Sequence, residues 1–578
     1  MNRRFATLSI AWILLACGAH AAEPKLRIEP YVFETSGSET VAAELGSFEV
    51  PENRDAADSR TLTLRFVRFP STSPDPRPPI VYLAGGPGGS GISTARGSRF
   101  PLFMALREHG DVIAFDQRGT GMSGSDDVAC EAGFLIPFGE PADRQRATAI
   151  LAEAAAKCAA RLTAEGVDIA GYDTRDSAAD LADLRRALGA KKLVLWGISY
   201  GTHLALATMK YHPEAIDRVI LAGLEGPDQT LKLPSHQQQL LEEIARLAAS
   251  DPAVREAVPD LLGSVESLLE RLDEEPVTVS LTDPRSGMVV GIGVGPLDLQ
   301  AALAGMLRGP DSFAPMPDLV HRLEEGDWTA LALLSAGRRM GQIWPMMSLA
   351  MDCASGATEA RLERIATEAE TTLLGDAINA PYPEICDGVP VPDLGDDFRA
   401  PVVSDIPALL ISGTLDGRTP VANGDEVASH LGASRHLVIE GAGHSDPLFL
   451  SSPKILETMQ AFLRGDEPAA LRIALDDPVD FIPPRSITQV SPEVLDRYVG
   501  TYRIEGDDTR RVVRAGDLLF TRRGEGDTLP IRPTSTTRFF YEGSKTWLEF
   551  EVDPEGAVRG MRMHHDGAEE GEWAERVE

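Results

Sequence analysis

The chain has 578 residues, of which 43% are hydrophobic and 25% charged, and its formal net charge is −33 at pH 7. This length exceeds what one compact core supports, so we expect two or three structural units of ordinary globular composition. The strong negative charge excludes attraction to nucleic acid or to an anionic membrane surface, and no later segment is apolar for long enough to span a bilayer.

The N-terminal segment has the pattern of an export signal. Two arginines precede an apolar run over residues 5–16, and small residues at positions 19 and 21 flank a cleavage site. The pattern predicts a signal peptide over residues 1–21 and export to the periplasm or the exterior. A lipoprotein signal with a lipid anchor at Cys17 is the second interpretation, placed behind simple cleavage because Leu15 fits a lipobox poorly.

The first part of an α/β core is predicted over residues 22–226. Its strands are expected at 48–51, 62–69, 80–83, 111–115, 193–196 and 217–223, and its helices at 142–166 and 176–188. Asp176 or Ser177 would cap the second helix. Strands that alternate with helices predict a mostly parallel sheet with helices on both faces.

A Gly-x-Ser-x-Gly turn lies at residues 197–201, between a short apolar run and a helical pattern. This strand–turn–helix context predicts a nucleophile elbow, with Ser199 raised above the sheet. The chance alternative is an ordinary glycine turn. In an elbow, the backbone amide of Tyr200 is one donor of an oxyanion hole.

A glycine-rich loop over residues 84–91 follows the strand at 80–83. It is either a flexible loop or an oxyanion-hole loop, in which case the Gly86 amide is the second donor. The following turn, residues 116–123, contains Asp116 and Arg118. We expect it to be structural and to pack against the glycine loop.

The pattern then becomes mostly helical, which predicts a lid inserted over residues 227–400. Its helices are expected at 234–249, 253–273 and 359–371, with a β-like interlude at 277–290. A methionine-rich run over residues 340–351 is either core packing or an adaptable wall over a substrate pocket.

The sheet resumes over residues 401–465, with strands at 407–413 and 435–439. Residues 466–490 have the composition of a linker, and residues 491–578 alternate as a small all-β module. Because no catalytic constellation is visible in that module, the sequence predicts that a cut near Ser491 leaves the active site competent.

Ser199, Asp416 and His444 each follow a predicted strand, in the chain order Ser, Asp, His. The carboxyl ends of parallel strands meet at one crevice, so we expect a triad there. His444 would take the serine proton and return it to the leaving group, and Asp416 would orient the imidazole. Asp425 and Asp446 are the nearest rivals of Asp416.

Four cysteines remain if Cys17 is removed or lipidated. Sequence neighbours favour the disulfides Cys130–Cys158 and Cys353–Cys386, one of three possible connectivities, with buried free thiols as the alternative. No cluster has zinc-ligand spacing, and we expect neither a metal nor another cofactor.

Four motifs together resemble the α/β-hydrolase serine exopeptidases, the prolyl aminopeptidases and, more closely, the secreted tripeptidyl aminopeptidases. The motifs lie at residues 85–91, 116–123, 197–202 and 416–420, and the resemblance covers roughly residues 40–465. Ala84 departs from the histidine usual in prolyl aminopeptidases, which puts proline specificity in doubt. The β module loosely resembles small β-rich units on other serine hydrolases.

The resemblance implies a serine peptidase that removes short N-terminal units from peptides. A carboxylesterase or amidase with the same triad is the alternative, and a non-catalytic binding protein on the same scaffold is a third hypothesis. An aminopeptidase must pair the substrate's ammonium with a carboxylate. Glu225, where a core strand meets the lid, and Asp352 in the lid are the candidates, each against the alternative of a structural or solvated residue.

Overall fold

The structure is a computed structural model that describes residues 25–130, 136–339, 345–467, 470–476, 479–504, 506 and 508–577. The predicted signal segment with Cys17, and residues 340–344 of the methionine-rich run, lie outside the described residues.

The strands form a large sheet, a small hairpin and a barrel. In chain order they are β1 (Arg27–Glu34), β2 (Thr40–Pro51), β3 (Thr61–Phe69), β4 (Ile80–Leu83), β5 (Val112–Asp116), β6 (Leu193–Ser199), β7 (Ile216–Leu224), β8 (Val277–Thr282), β9 (Val289–Val294), β10 (Ala408–Gly413), β11 (Ser434–Glu440), β12 (Arg472–Ala474), β13 (Gly500–Arg503), β14 (Thr509–Ala515), β15 (Leu518–Arg523), β16 (Leu529–Pro533), β17 (Arg538–Tyr541), β18 (Trp547–Val552), β19 (Val558–His564) and β20 (Glu572–Arg576).

The large sheet has the order β1-β2-β3-β5-β4-β6-β7-β10-β11-β12. The strands from β5 to β12 run parallel, whereas β1, β2 and β3 add an antiparallel edge. Alternate residues of β6 enter two different cores, Leu195 on one face and Trp196 on the other. Both faces of the sheet are therefore covered, and the predicted mostly parallel α/β core is confirmed.

The helices cover the sheet and build the insertion. In chain order they are α1 (Gly91–Arg96), α2 (Phe100–Leu106), α3 (Arg144–Ala164), α4 (Thr174–Ala187), α5 (Tyr200–Tyr211), α6 (Pro234–Ser250), α7 (Pro252–Ala257), α8 (Leu261–Glu274), α9 (Pro296–Met306), α10 (Pro310–Phe313), α11 (Met316–Glu324), α12 (Thr329–Arg339), α13 (Met346–Ser355), α14 (Glu359–Ala369), α15 (Gly395–Arg399), α16 (Val421–Ala428), α17 (Pro447–Leu450), α18 (Pro453–Arg464) and α19 (Pro492–Tyr498). The cap of α4 is Asp173, not Asp176 or Ser177, and its side chain accepts from the Asp176 amide.

Helices α6–α14 and the β8–β9 hairpin lie between β7 and β10, where the sequence predicts a lid, and several of them share a core of their own. The described end of the methionine-rich run belongs instead to the core beneath the sheet. Met346, Met347 and Met351 are buried there against residues of α4 and α5. Core packing therefore accounts for these methionines.

The C-terminal strands β13–β20 close into an antiparallel eight-stranded barrel. A contiguous apolar cluster fills it, including Tyr502, Phe539 and Phe550. The predicted small all-β module thus has a closed form in which each strand pairs with two neighbours, and closure leaves no free sheet edge.

Two disulfides join Cys130 to Cys158 and Cys353 to Cys386, the pairing that sequence neighbours favour. The first fastens the segment after β5 to helix α3, and the second fastens α13 to the end of the insertion. Among the residues described, no helix combines the length and apolarity needed to cross a membrane.

Candidate active site

Ser199 is the last residue of β6, and helix α5 begins at the next residue. Its φ of 54° is strained for a residue with a side chain, as in a nucleophile elbow. The flanking glycines are required by close approach: a Cβ on Gly197 would lie 2.6 Å from the Gly201 carbonyl oxygen, and one on Gly201 would collide with the Leu83 carbonyl. The chain therefore turns so tightly that only Ser199 projects from the turn.

His444 and Asp416 lie in the loops that follow β11 and β10, and they are hydrogen-bonded to each other. The distance from His444 Nδ1 to Asp416 Oδ2 is 2.8 Å. The other carboxylate oxygen, Oδ1, accepts the backbone amides of Arg418 and Thr419, both at 2.8 Å. Because Asp416 is buried and held by its own loop, it can fix the orientation and tautomer of the imidazole.

Thr419 contacts both members of this pair. Its hydroxyl donates to Asp416 Oδ2 at 2.7 Å and lies 3.1 Å from His444 Nδ1. Thr419 lies within the motif at residues 416–420, which the sequence predicts without a role for this hydroxyl. Its position three residues after a candidate catalytic aspartate was the available signal.

A segment of the lid crosses the two loops that contain Asp416 and His444. We call residues 307–309 the strap. The backbone amide of His444 donates to the Arg308 carbonyl at 2.7 Å, and the amide of Gly417 donates to the Leu307 carbonyl at 2.9 Å. Gly443 packs against Gly309 so closely that a Cβ on it would collide with the Gly309 Cα. The lid therefore fixes the loops that carry Asp416 and His444.

The glycine-rich loop passes directly beside Ser199. A Cβ on Gly85 would lie 2.9 Å from the Ser199 Cβ, and Gly86 has a φ of 123°, a conformation that favours glycine. The lid touches the same loop, because Ser348 of α13 donates to the Pro87 carbonyl at 2.8 Å. The loop is thus packed against its neighbours and is not a flexible connection.

Asp116 and Arg118 have the structural role expected for their turn. Asp116 accepts the Ser90 hydroxyl at 2.6 Å and the Met122 amide at 2.8 Å, which ties the turn to the end of the glycine loop. Arg118 is fully buried and donates to both carboxylate oxygens of Asp180 at 2.7 Å.

Tyr200 contributes its backbone, since its side chain points away from the serine. The phenol is buried, lies 3.1 Å from the Thr174 hydroxyl and donates to Met351 Sδ at 3.1 Å. Its amide is the first of helix α5, at the positive end of the helix dipole. A side chain anchored in the core holds that amide in place beside Ser199.

Two cavities meet at Ser199 and Gly86. The His444 cavity, of about 360 Å³, also contains His444, Arg99 and Arg308 in its wall. The Glu225 cavity, of about 310 Å³, also contains Glu225, Lys232, Asp352, Tyr382 and Arg418. Both volumes lie at the lower end of the range for ligand sites. A bound molecule can therefore extend from the serine in two directions.

Glu225 is buried and paired. Its Oε2 accepts Lys232 Nζ at 2.7 Å, and its backbone amide donates to the Thr202 hydroxyl at 2.8 Å. No described residue donates a hydrogen bond to its Oε1. No sequence pattern pointed to Lys232, which comes from the lid and reaches Glu225 only in the folded chain.

Asp352 is half-buried in the wall of the same cavity and hydrogen-bonded to Tyr382. Burial, helped by the negative charge of Glu225, raises the pKa of Asp352 to about 8. Burial, together with the charge of Asp352 and the hydrogen bond to it, raises the pKa of Tyr382 well above its usual value. Near neutral pH the Asp352 carboxyl is therefore largely protonated in the empty cavity.

The rival aspartates have other partners. Asp425 lies 3.0 Å from Nδ1 of His436, and Asp446 accepts Arg99 Nε at 2.7 Å. Of the aspartates considered for this role, Asp416 is the one hydrogen-bonded to His444.

A mostly parallel sheet with a strained serine between strand and helix, and a histidine–aspartate pair after two later strands, is the arrangement of the α/β-hydrolases. The family described as "alpha/beta hydrolase fold" matches residues 78–261, and the family described as "TAP-like protein" matches residues 373–470. A domain of unknown function matches residues 484–576, which contain the barrel. The core of the chain therefore has the α/β-hydrolase fold.

Three curated relatives are similar to part of the chain. The serine protease Hip1 of Mycobacterium tuberculosis is 28% identical over 246 residues, which cover 39% of this chain and 46% of that protein. The tripeptidyl aminopeptidase of Streptomyces coelicolor is 29% identical over 270 residues, 44% of this chain and 47% of that protein. That of Streptomyces lividans is 28% identical over 276 residues, with coverage of 44% and 47%. The chain thus spans about half the length of the curated relatives it matches.

Proposed function

We propose that the chain is an exported serine peptidase that removes short N-terminal units from peptides through Ser199, His444 and Asp416. The observation that carries this proposal is that His444, hydrogen-bonded to Asp416 at 2.8 Å, shares a cavity wall with the strained Ser199. Peptidase relatives that match part of the chain support the choice of substrate class.

In this mechanism the Ser199 hydroxyl attacks the carbonyl carbon of the scissile amide, and His444 takes its proton. The oxyanion is held by the backbone amides of Gly86 and Tyr200, the two candidates beside the serine. His444 then protonates the leaving nitrogen, the C–N bond breaks, and an acyl-enzyme remains. Water, activated by His444, hydrolyses the ester and frees Ser199.

The two cavities then have distinct roles. His444 must protonate the leaving nitrogen, so the leaving peptide occupies the cavity that His444 lines. The acyl part, which contains the free amine, occupies the Glu225 cavity on the other side of Ser199.

We assign the ammonium of the substrate to Asp352, with the unpaired Oε1 of Glu225 as its second partner. A cation that enters this cavity favours the ionised form of Asp352, so binding and loss of the carboxyl proton are coupled. Lys232 already neutralises part of Glu225, which makes Asp352 the larger contributor. Because one carboxylate is partly neutralised, a small-ester or amide hydrolase of the same fold stays the second candidate.

The test uses the purified protein with tripeptide 4-nitroanilides that carry a free or an acetylated N-terminus, and with a fluorophosphonate probe. We expect hydrolysis of the free-amine substrates only, with both turnover and labelling abolished in Ser199→Ala. A preference for blocked substrates would contradict the aminopeptidase proposal. Undiminished labelling of the variant would place the nucleophile elsewhere.

The two disulfides and the predicted signal segment support export, because disulfides persist in oxidising compartments.

A further inference from the structure

Next to the Glu225 cavity lies a third cavity, which we call the inner cavity, with a volume of about 320 Å³. The two share the wall residues Ile378, Ala380, Pro381 and Arg418. Much of the inner wall is small or apolar, so it has room for an aliphatic side chain. The two cavities therefore adjoin at these four residues.

The inner cavity is cationic, although the chain has a net charge of −33. Its wall contains four arginines, Arg144, Arg338, Arg339 and Arg418, against the single carboxylate of Asp298. Such a local excess of positive charge strengthens the electrostatic field inside a cavity with low-dielectric walls. The cavity therefore attracts anionic ligands.

Two of these arginines are engaged within the protein. Arg339 donates to Asp298 at 2.6 Å and to the Gly293 carbonyl at 2.8 Å, so it cancels the carboxylate of the wall. Arg144 donates to Asp376 at 2.8 Å and to the Tyr382 carbonyl at 2.9 Å. Both guanidinium groups are therefore bound to carboxylates and carbonyls of the protein itself.

Arg418 differs from them. It is half-buried where the two cavities join, and no residue in the described part of the chain accepts a hydrogen bond or forms an ion pair with its guanidinium. Burial lowers its pKa, as expected for a cation removed from water.

The carboxylates near Arg418 have other partners: Asp416 pairs with His444, Glu225 with Lys232, and Asp352 with Tyr382. The planar donors of Arg418 therefore remain available to a ligand in the cavity. A half-buried guanidinium with free donors is suited to bidentate binding of a carboxylate.

We propose that Arg418 is a specificity-determining residue that binds a carboxylate on the acyl part of the substrate. On the proposed peptidase function, on which this inference rests for its substrate, the enzyme prefers N-terminal units with a glutamate or aspartate side chain. The ammonium lies at Asp352, the acidic side chain reaches Arg418, and its methylene groups contact Ile378 and Pro381.

The experiment compares two series of free-amine tripeptide 4-nitroanilides that differ only by Glu or Gln at one position. The position that faces Arg418 is the one at which the wild-type enzyme distinguishes the two residues. There we expect kcat/KM for the Glu substrate to be about ten- to a hundredfold higher than for the Gln substrate, the range for a hydrogen-bonded charge pair. Arg418→Gln should remove this preference by weakening the Glu substrate alone. Arg418→Lys should restore part of it, since a lysine keeps the charge but loses the bidentate geometry.

Arg435→Gln is the matched control, because Arg435 is an exposed arginine that pairs with Glu467 outside these cavities. It should leave the ratio of Glu to Gln rates unchanged. Thermal melting of each variant checks that it is folded. Equal losses on Glu and Gln substrates in a folded Arg418→Gln variant, or no wild-type preference at any position, would overturn the proposal.

A parallel pair of esters, 4-nitrophenyl hydrogen glutarate and 4-nitrophenyl pentanoate, separates this inference from the peptidase proposal. If amides are inert but Arg418→Gln selectively slows the glutarate ester, the peptidase proposal fails and the carboxylate site stands. If amides are hydrolysed without any acidic preference, the peptidase proposal stands and the carboxylate site fails.

Discussion

Thr419 is the residue whose removal best isolates the orientation of the histidine. Its hydroxyl contacts both Asp416 and His444, while the backbone amides that hold the Asp416 carboxylate stay in place when the side chain changes. We expect Thr419→Val to fold normally and to lower kcat/KM about tenfold, the effect of one lost hydrogen bond of about 1–1.5 kcal/mol. Steady-state kinetics on the best nitroanilide measure this, and unchanged kinetics would show that the hydroxyl is dispensable.

Asp352 should make both binding and stability depend on pH. Its pKa of about 8 in the fold lies far above that of an unfolded aspartate, so the folded chain holds a proton that the unfolded chain has lost between about pH 4 and pH 8. Stability conferred on the fold by this group therefore falls as pH rises through that window and levels off above pH 8.

The corresponding variant is Asp352→Asn. Relative to wild type, its free energy of unfolding should rise progressively from pH 5 to pH 8. For free-amine substrates, wild-type KM should fall toward pH 8 as the carboxyl ionises, and the variant should lose that dependence. Chemical denaturation and KM measured at matched pH values test both statements, and parallel pH profiles in the two proteins would refute the assignment.

Individual site residues could be predicted where a local sequence pattern marks them. Ser199 has its glycines, and Asp416 and His444 directly follow predicted strands, so the sequence was enough to name them as candidates. Lys232 and Tyr382 have no such pattern, because they come from the lid and meet Glu225 and Asp352 only through tertiary packing.

At the scale of elements, the strap joins the lid to the loops that contain Asp416 and His444. Gly443 has no room for a side chain, since a Cβ there would collide with Gly309 of the strap. Gly443→Ala should displace the loop of His444 and lower kcat by at least about tenfold, because small misplacements of a catalytic group are strongly felt. Thermal melting should change less than activity.

The matched control is Gly337→Ala in helix α12, where a Cβ would meet no atom within 4 Å. Alanine is the better helix former by about 0.5–1 kcal/mol, so this variant should be at least as stable as wild type and fully active. If Gly443→Ala retained wild-type kcat, the strap would not be needed to position His444.

Elements with strong periodicity were predicted, and those without it were not. The predicted helix over 253–273 is two helices, α7 and α8, because Pro259 interrupts the backbone hydrogen bonds and Asp260 caps the second one. Strand β1 was not predicted, since it is exposed along most of its length and contains Pro30, which an edge strand tolerates.

At the scale of the whole molecule, the barrel is docked onto the lid through charged groups. Arg322 of α11 donates to both oxygens of Glu542 at 2.9 and 2.8 Å, and Arg485, before the barrel, donates to Asp318 of α11 at 2.9 Å. Arg485 also stacks on Phe540 at 3.8 Å from the ring centre. Composition indicates a linker over 466–490 but cannot reveal that part of it is bound to the lid.

This docking changes the expectation for a chain cut near Ser491. The cut removes Glu542 and Phe540 and leaves Arg322, whose side chain is only 2% exposed, without its main partner. Since α11 is separated from the strap only by α10, a loosened α11 should disturb the loops of Asp416 and His444. We therefore expect the truncated chain to melt earlier and to lose activity with stability, although it keeps the whole candidate triad.

Glu542→Gln tests the docking within the full chain. Breaking a buried ion pair typically costs about 3–5 kcal/mol, and the loss here should be smaller, because Arg322 keeps Asp318 at 3.2 Å and Glu542 is partly exposed. The control is Glu549→Gln, which breaks an exposed pair with Arg538 and should change stability by no more than about 1 kcal/mol. Denaturant unfolding followed by tryptophan fluorescence measures both variants. Equal stabilities for the two, together with a truncated chain that melts and turns over like wild type, would mean that the barrel is an independent appendage rather than a support for the lid.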